Sequence, residues 1–140
     1  MSKIAVVFWS GTGNTEKMAE AVIEGIKSAG GEAETVAVAD FNADKVDAYD
    51  AIAFGCPSMG AEQLEESEFE PMFSSIESKL SGKKIALFGS YGWGDGEWMR
   101  NWNDQCTADG AVMACDFVIC NNEPDEAAIS ACKALGAALV

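Results

Sequence analysis

The chain has 140 residues, 49% of them hydrophobic, which is the size of one domain with a substantial core. Twenty-three acidic residues against nine basic ones give a formal net charge of −14, which disfavours contact with nucleic-acid phosphates and anionic membranes. We therefore expect a single domain over residues 1–140, a monomer, whose partners present basic surfaces.

Targeting and metal-binding signals are missing from the sequence. The first apolar run, Ile4–Trp9, is too short for a signal peptide, and no later segment is long enough to span a bilayer. The five cysteines have no Cys-x-x-Cys spacing and the chain has no histidine, which indicates reduced thiols without a metal site. We expect a cytoplasmic protein without metal ligands and without the usual catalytic bases.

Short apolar runs alternate along the chain with segments of helical periodicity, which is typical of a parallel sheet covered on both faces. After a strand at Ile4–Trp9, a helix is predicted from about Asn14 to Ala29. The later strands are predicted at Glu34–Val38, Ala51–Gly55, Lys84–Gly89 and Val112–Ile119.

The remaining helices are predicted between and after these strands. An apolar stripe from Phe69 to Leu80 follows the third strand, and the capping-box pattern Ser67-x-x-Glu70 precedes it. Further helices are predicted at Trp98–Cys106 and after Pro124. The expected fold is α/β: a doubly wound, five-stranded parallel sheet of order 2-1-3-4-5 with helices on both faces.

Three loops rich in glycine and polar residues each follow a predicted strand directly. They are Ser10–Thr15, Pro57–Glu62 and Ser90–Asp95. In the order 2-1-3-4-5 their strands are neighbours, so the loops should meet at the edge of the sheet where the crossovers change face. A ligand site is expected there.

The first loop has the features of a phosphate-binding loop. Its glycines allow close approach to a ligand, and the helix after it directs free N–H groups at an anion. A turn with an ordinary helix cap remains an alternative. The pattern of nucleoside-triphosphate loops is absent, and the dinucleotide pattern has Glu16 at its third glycine, although Asp40 resembles the ribose-binding acid. A single phosphate fits best. The loop consists of Ser10, Gly11, Thr12, Gly13, Asn14 and Thr15.

The stretch Val6–Val22 resembles the phosphate-loop signature of the flavodoxins throughout. The resemblance continues through Gly55–Gly60 and Leu87–Gly96 and covers essentially the whole chain. The last strand has no long insertion, which is similar to the short-chain flavodoxins of anaerobic bacteria. The resemblance implies a flavodoxin-like fold and non-covalently bound flavin mononucleotide (FMN).

The resemblance also implies roles for individual residues. Loop side chains would hold the FMN phosphate, and Met59 and Trp93 would cover the two faces of the flavin ring. The peptide at Gly60 would flip to accept a hydrogen bond from the flavin, and Glu62 would accept one from its pyrimidine edge. Those assigned to the phosphate are Ser10, Thr12, Asn14 and Thr15, and further candidate cofactor-binding residues are Pro57, Ser58, Ser90, Tyr91 and Gly92. Asn122 and Glu123 either line the pocket or begin a helix.

The implied function is a low-potential one-electron carrier that cycles between semiquinone and hydroquinone and serves redox enzymes without a substrate of its own. The alternatives are an FMN-dependent NAD(P)H:quinone reductase-like enzyme, which needs room over the ring, and a phosphate-binding regulatory module. We further expect the fixed site to set the flavin potentials, while rim acids steer basic partners. Those acids are Glu62, Glu65, Glu66, Glu68 and Glu70.

Overall fold

The computed structural model describes residues 2–11, 13–59 and 63–140. Six parallel strands form its sheet: β1 (Lys3–Phe8), β2 (Glu32–Thr35), β3 (Ala51–Gly55), β4 (Lys84–Tyr91), β5 (Val112–Met113) and β6 (Val118–Asn121). The order is β2-β1-β3-β4-β5, and β6 also pairs with β4. The predicted doubly wound order is therefore confirmed.

Five helices connect or follow these strands: α1 (Asn14–Ser28), α2 (Ala43–Val46), α3 (Phe69–Ile76), α4 (Glu97–Ala108) and α5 (Glu126–Ala138). Alternate side chains of the central strands enter two apolar clusters, one on each face of the sheet, as the two-residue period of a strand requires. Helices α1 and α5 contribute to one cluster, and α3 and α4 contribute to the other.

Helices α1 and α5 approach each other closely through two glycines. A Cβ atom added to Gly25 would lie 2.0 Å from the carbonyl oxygen of Lys133, and one added to Gly136 would lie 2.1 Å from that of Val22. Only hydrogen atoms fit at these two positions. This packing fixes α1, whose first residues belong to the phosphate-binding loop.

Two strand predictions need correction. The predicted strand Glu34–Val38 lies at Glu32–Thr35, because an edge strand with mostly exposed side chains has little apolar signal and the buried Val36 and Val38 follow it. The predicted strand Val112–Ile119 is divided into β5 and β6, which pair with different parts of β4.

The predicted capping box before α3 is wrong. Helix α3 begins at Phe69, and its N-cap, Glu68, makes no side-chain cap hydrogen bond. The carboxylate of Glu65 instead accepts hydrogen bonds from three backbone N–H groups, those of Ser67 (2.8 Å), Glu68 (2.7 Å) and Phe69 (2.9 Å). The apolar stripe itself is buried as predicted.

Candidate functional site

Residues from all three predicted loops line one cavity of about 190 Å³ at the carboxyl ends of the central strands. Such an edge, at the switch point of the crossovers, is where doubly wound proteins bind ligands. Its predicted lining residues are Ser10, Gly11, Asn14, Thr15, Pro57, Ser58, Met59, Ser90, Tyr91 and Gly92. Thr12, Gly60 and Glu62 lie outside the described residues.

The phosphate-binding loop is closed by its own polar groups. Gly13 is the N-cap of α1 with a φ of 95°, a conformation that favours glycine. The hydroxyl oxygen of Ser10 accepts hydrogen bonds from the N–H groups of Gly13 and Glu16, both at 3.2 Å. The N–H groups of Asn14 and Thr15 begin the helix and have no acceptor within it, so the positive end of the helix faces the cavity.

A buried hydrogen bond joins the first loop to the third. The hydroxyl groups of Thr15 and Ser90 lie 3.0 Å apart, and the two residues are 1% and 5% exposed. The N–H group of Ser90 also donates to the Thr15 oxygen at 3.4 Å. The Thr15 hydroxyl therefore joins two walls of the cavity, whereas sequence analysis had assigned it to the phosphate alone.

The second loop is held at its base by Cys56 and Glu65. The N–H group of Glu65 donates to the Cys56 sulfur at 3.4 Å, and the pKa of this thiol is raised to about 12 because burial disfavours the thiolate. Within the loop, Met59 and Gln63 exchange two backbone hydrogen bonds of 2.8 and 3.0 Å. These bonds fix the position of Met59 on the cavity wall.

Glu65 is a structural residue and does not belong to the acidic rim. It is only 6% exposed, in contrast to Glu66 and Glu68, which are exposed. Burial raises the pKa of its carboxyl, but the N–H groups of Phe69, Glu68 and Ser67 lower that pKa by more, so the net shift is downward. The expectation that Glu65 lies on the acidic rim is therefore wrong.

Two aromatic side chains lie differently with respect to the cavity. Trp93 is 62% exposed and is not among the described residues that line the cavity, and its place over one face of a flavin stays a prediction. Trp9 does line the cavity, with its ring 3.0 Å from a Cβ added to Gly11. From the sequence, Trp9 was expected only as the end of a strand, and its place directly before the glycine loop was the available signal.

The sequence left open whether Asn122 and Glu123 line the pocket or begin a helix. In the turn before α5 these two residues have different roles. Asn122 lines the cavity with a φ of 58°, and its N–H group donates to the carbonyl of Tyr91 at 2.7 Å. The Glu123 carboxylate instead pairs with the ammonium of Lys17 on α1. That hydrogen bond, together with the positive charge of Lys17, lowers the pKa of Glu123. Asp125, two residues further on, caps α5 by accepting a hydrogen bond from the N–H group of Ala128.

The lining of the cavity carries no formal charge among the described residues, in a protein whose net charge is −14. Among the residues that the structure describes, this surface has no carboxylate, while hydroxyl groups, amides and a helix N-terminus are concentrated on it. A phosphate group fits such a site, and an apolar ring system fits its aromatic and thioether walls. The fold and the cavity together define a doubly wound α/β protein with a cavity at its switch point that suits an anionic cofactor.

Comparison with known proteins places this chain in a family. The family model for flavodoxin matches residues 6–135. A flavodoxin from Clostridium beijerinckii is 52% identical over 122 residues, which cover 87% of this chain and 88% of that protein. One from Megasphaera elsdenii is 48% identical over 135 residues, 96% of each chain. The chain belongs to the flavodoxin family.

Solved structures agree with this assignment. The solution structure of two-electron reduced Megasphaera elsdenii flavodoxin has a TM-score of 0.88 and 47% identity, covering 97% of each chain. Oxidised flavodoxin 1 from Bacillus cereus has a TM-score of 0.85 at 26% identity. The predicted resemblance to short-chain flavodoxins of anaerobic bacteria is confirmed.

Proposed function

We propose that this flavodoxin carries single electrons at low potential on non-covalently bound FMN, between redox enzymes and without a substrate of its own. The observation that supports the proposal most strongly is the cavity at the switch point, where donor groups and a helix N-terminus stand without a carboxylate among the described lining residues. Bound FMN supplies a ring that takes up and releases electrons one at a time.

The residues of the first loop bind and orient the phosphate. The side chain of Asn14 and the N–H groups at the start of α1 donate to it, and Ser10 keeps the loop in the shape that presents them. The bond between Thr15 and Ser90 holds this loop at a fixed distance from the third loop. The cofactor position is thus set before binding, which lowers the entropic cost of binding.

The apolar residues enclose the ring and exclude water. Met59 lines the cavity and covers one face of the ring, and the exposed indole of Trp93, which lies outside the described cavity lining, covers the other face. A ring covered on both faces leaves no room for a nicotinamide or a quinone, which argues for a carrier rather than a reductase. The roles assigned to Gly60 and Glu62 remain part of this proposal.

The last part of the proposal concerns the compartment and the partners of the protein. Among the residues that the structure describes, no helix combines the length and hydrophobicity needed to cross a bilayer. All five cysteines are free thiols, which suits a reducing compartment. We infer a cytoplasmic monomer that meets enzymes with basic docking surfaces, because its own charge is −14.

A reductive titration followed by visible absorption tests the proposal. The purified protein should hold one FMN per chain, and its spectrum should pass through a distinct one-electron-reduced form before full reduction. A colourless protein that does not take up added FMN would contradict the proposal. So would steady turnover of a nicotinamide with a quinone without accumulation of the one-electron-reduced form.

A further inference from the structure

The hydrogen-bond ladder between β3 and β4 is interrupted at the point where the second loop leaves the sheet. The N–H groups of Cys56 and Ser58 still donate to carbonyls of the β4 strand, at 3.1 and 3.0 Å. A regular parallel ladder would then use the Cys56 carbonyl as the acceptor for the N–H group of Ser90. That N–H group instead donates to the hydroxyl oxygen of Thr15 at 3.4 Å. The Cys56 carbonyl therefore needs a donor from outside the sheet.

The indole of Trp98 supplies this donor. Its Nε1 donates to the Cys56 carbonyl at 3.2 Å. Both residues are buried, with exposures of 0% for Cys56 and 2% for Trp98, so water does not replace the bond. A buried carbonyl without a donor costs free energy, and the indole removes that cost. A side chain of helix α4 thus holds the backbone at the base of the second loop.

Gly89 on β4 makes room for this arrangement. A Cβ atom added to Gly89 would lie 2.2 Å from the Cys56 carbonyl oxygen and 3.3 Å from the ring of Trp98. Any side chain at this position would push the carbonyl away from the indole. We call these three residues, Cys56, Gly89 and Trp98, the carbonyl lock.

The carbonyl lock joins the two loops that are proposed to enclose the flavin ring. Cys56 directly precedes the segment of the second loop that ends at Met59 on the cavity wall. Trp98 is the second residue of α4, directly after the third loop, which carries Trp93. The Trp98 ring also lies 5.5 Å from the ring of Tyr91, which lines the cavity. One indole therefore contacts the base of the second loop and both ends of the third.

We propose that Trp98 is a positioning residue for the flavin ring, which fixes the second loop against the third through the Cys56 carbonyl. Trp98 is not among the described residues that line the cavity, so it acts through its neighbours. The phosphate is assigned to the first loop, so loss of the indole bond should disturb the ring and leave the phosphate in place. This inference rests on the proposed binding of FMN.

Trp102 provides a matched control on the same helix. It lies one turn after Trp98 and is 1% exposed, but its buried Nε1 has no hydrogen-bond partner in the described part of the chain. Site-specific incorporation of 3-benzothienylalanine replaces the indole N–H group by sulfur and keeps the shape of the ring. At position 98 this change removes the bond to Cys56, whereas at position 102 it removes no bond.

Amide hydrogen exchange of the FMN-loaded proteins, followed by NMR, tests whether the second loop is held by this bond. The N–H groups of Ser58 and Met59 are hydrogen-bonded at 3.0 and 2.8 Å, so their exchange reports opening of the loop. Their exchange should become about fivefold faster with the sulfur analogue at position 98, as expected for one lost hydrogen bond. With the analogue at position 102 it should stay within about twofold.

The first loop serves as an internal control in the same spectra. Gly13 and Glu16 donate to the Ser10 oxygen, and the exchange of their N–H groups should not change in either protein. Visible absorption of each sample gives its FMN content, so a failure of FMN binding is seen separately from a failure of positioning. Equal changes for positions 98 and 102, or unchanged exchange at Ser58 and Met59, would refute the role of Trp98.

A reductive titration tests the consequence for the flavin. With the analogue at position 98, the equilibrium constant for formation of the one-electron-reduced form should fall about fivefold, because the ring is held less firmly. The ratio of FMN to riboflavin affinity, which reports the phosphate, should stay within about twofold. Trp98→Phe and Trp102→Phe extend the comparison, since both lose buried volume and should unfold more easily. Only Trp98→Phe should change the redox equilibrium, and an equal change in both would show that Trp98 is an ordinary core residue.

Discussion

The cofactor cavity and a second cavity of about 400 Å³, which we call the acidic groove, are built partly from the same connection after β3, yet they differ in the groups that line them. The cavity has hydroxyl groups, amides and a helix N-terminus, with no formal charge among its described lining residues. The groove lies between that connection and α4 and has two carboxylates and three amide side chains over buried rings. Its lining residues are Gln63, Leu64, Glu66, Glu70, Phe73, Trp98, Asn101, Trp102 and Gln105. The larger of the two is not the one at the switch point. Cavity volume is therefore a poor guide to the cofactor site. The charge and the hydrogen-bonding character of the lining groups distinguish the anion site from the acidic groove.

A carboxylate placed in the cofactor cavity should have the largest effect. In Asn14→Asp the new charge faces the phosphate, and a unit charge at about 4 Å in an effective dielectric near 20 costs about 4 kcal/mol. FMN affinity should fall about a thousandfold, as measured by quenching of flavin fluorescence. An aspartate in the first turn of a helix favours that helix, so folding should not suffer.

The control for this variant is Asn103→Asp on α4, which adds the same charge away from the cofactor cavity. Its FMN affinity should stay within about twofold of the parent protein, because a charge at a partly exposed position outside the cavity is screened by salt. An equal loss of affinity in both variants would mean that net charge, and not the lining of the cavity, controls binding.

Removal of Glu65 should weaken the connection that both cavities share. Glu65→Ala leaves three backbone N–H groups without their acceptor, and we expect the free energy of unfolding to fall by about 3 kcal/mol in denaturant titrations. Glu66→Ala, at an exposed neighbouring position, should change it by less than about 0.5 kcal/mol. Similar losses in the two variants would contradict the structural role of Glu65.

The same carboxylate predicts a pH dependence. The pKa of Glu65 is lowered in the folded state, relative to a value of about 4.3 for an unperturbed glutamate. Its contribution is therefore present above about pH 4.3 and is lost as the pH falls through the lowered value. Denaturant titrations between about pH 3 and pH 7 should show a smaller acid loss for Glu65→Gln than for the parent protein. Parallel pH profiles would argue against this assignment.

Loss of the bond between the first and third loops should have an intermediate effect. Thr15→Val keeps the shape but removes the hydroxyl that bonds Ser90, leaving the Ser90 groups unsatisfied. FMN affinity should fall about tenfold, and the free energy of unfolding should drop by about 1 to 2 kcal/mol. Thr107→Val on α4, whose hydroxyl bonds a carbonyl at an exposed position, is the matched control. Unchanged FMN affinity in Thr15→Val would show that the two loops do not need this bond.

The smallest effect on the cofactor is expected from the groove. Glu66→Gln/Glu70→Gln should change FMN affinity and the flavin potentials only slightly, about twofold in affinity, because exposed charges outside the cavity are screened. Potentiometric titration measures the flavin potentials directly. A large shift in potential would show that the rim acids tune the flavin, and the separation between the two regions would then fail.

The fold could be predicted because its signals are local and repeated. The buried strand Ala51–Gly55 is one continuous apolar run, and the stripe from Phe69 to Leu80 keeps helical spacing. The edge strand at Glu32–Thr35 was misplaced because its side chains are mostly exposed. The position of this edge strand is set only by its pairing with β1, which is a long-range contact that the local sequence does not show.

The candidate site was predictable in its loops but not in its internal bonds. The glycine loop and its place after a strand are visible in the sequence. The bond between Thr15 and Ser90 joins residues 75 positions apart, and the role of Glu65 depends on how the chain turns after it. Among several consecutive acids, periodicity does not show which one is buried. The acidic groove depends on side chains from α3, α4 and the loop before α3, and no sequence pattern brings these three segments together.

The most direct test of the central claim compares FMN with riboflavin, which lacks only the phosphate. If the neutral cavity with its helix N-terminus is the phosphate site, FMN should bind about a thousandfold more tightly than riboflavin, through several charge-assisted hydrogen bonds. Asn14→Asp should remove most of that difference. Equal affinity for the two flavins would contradict the account.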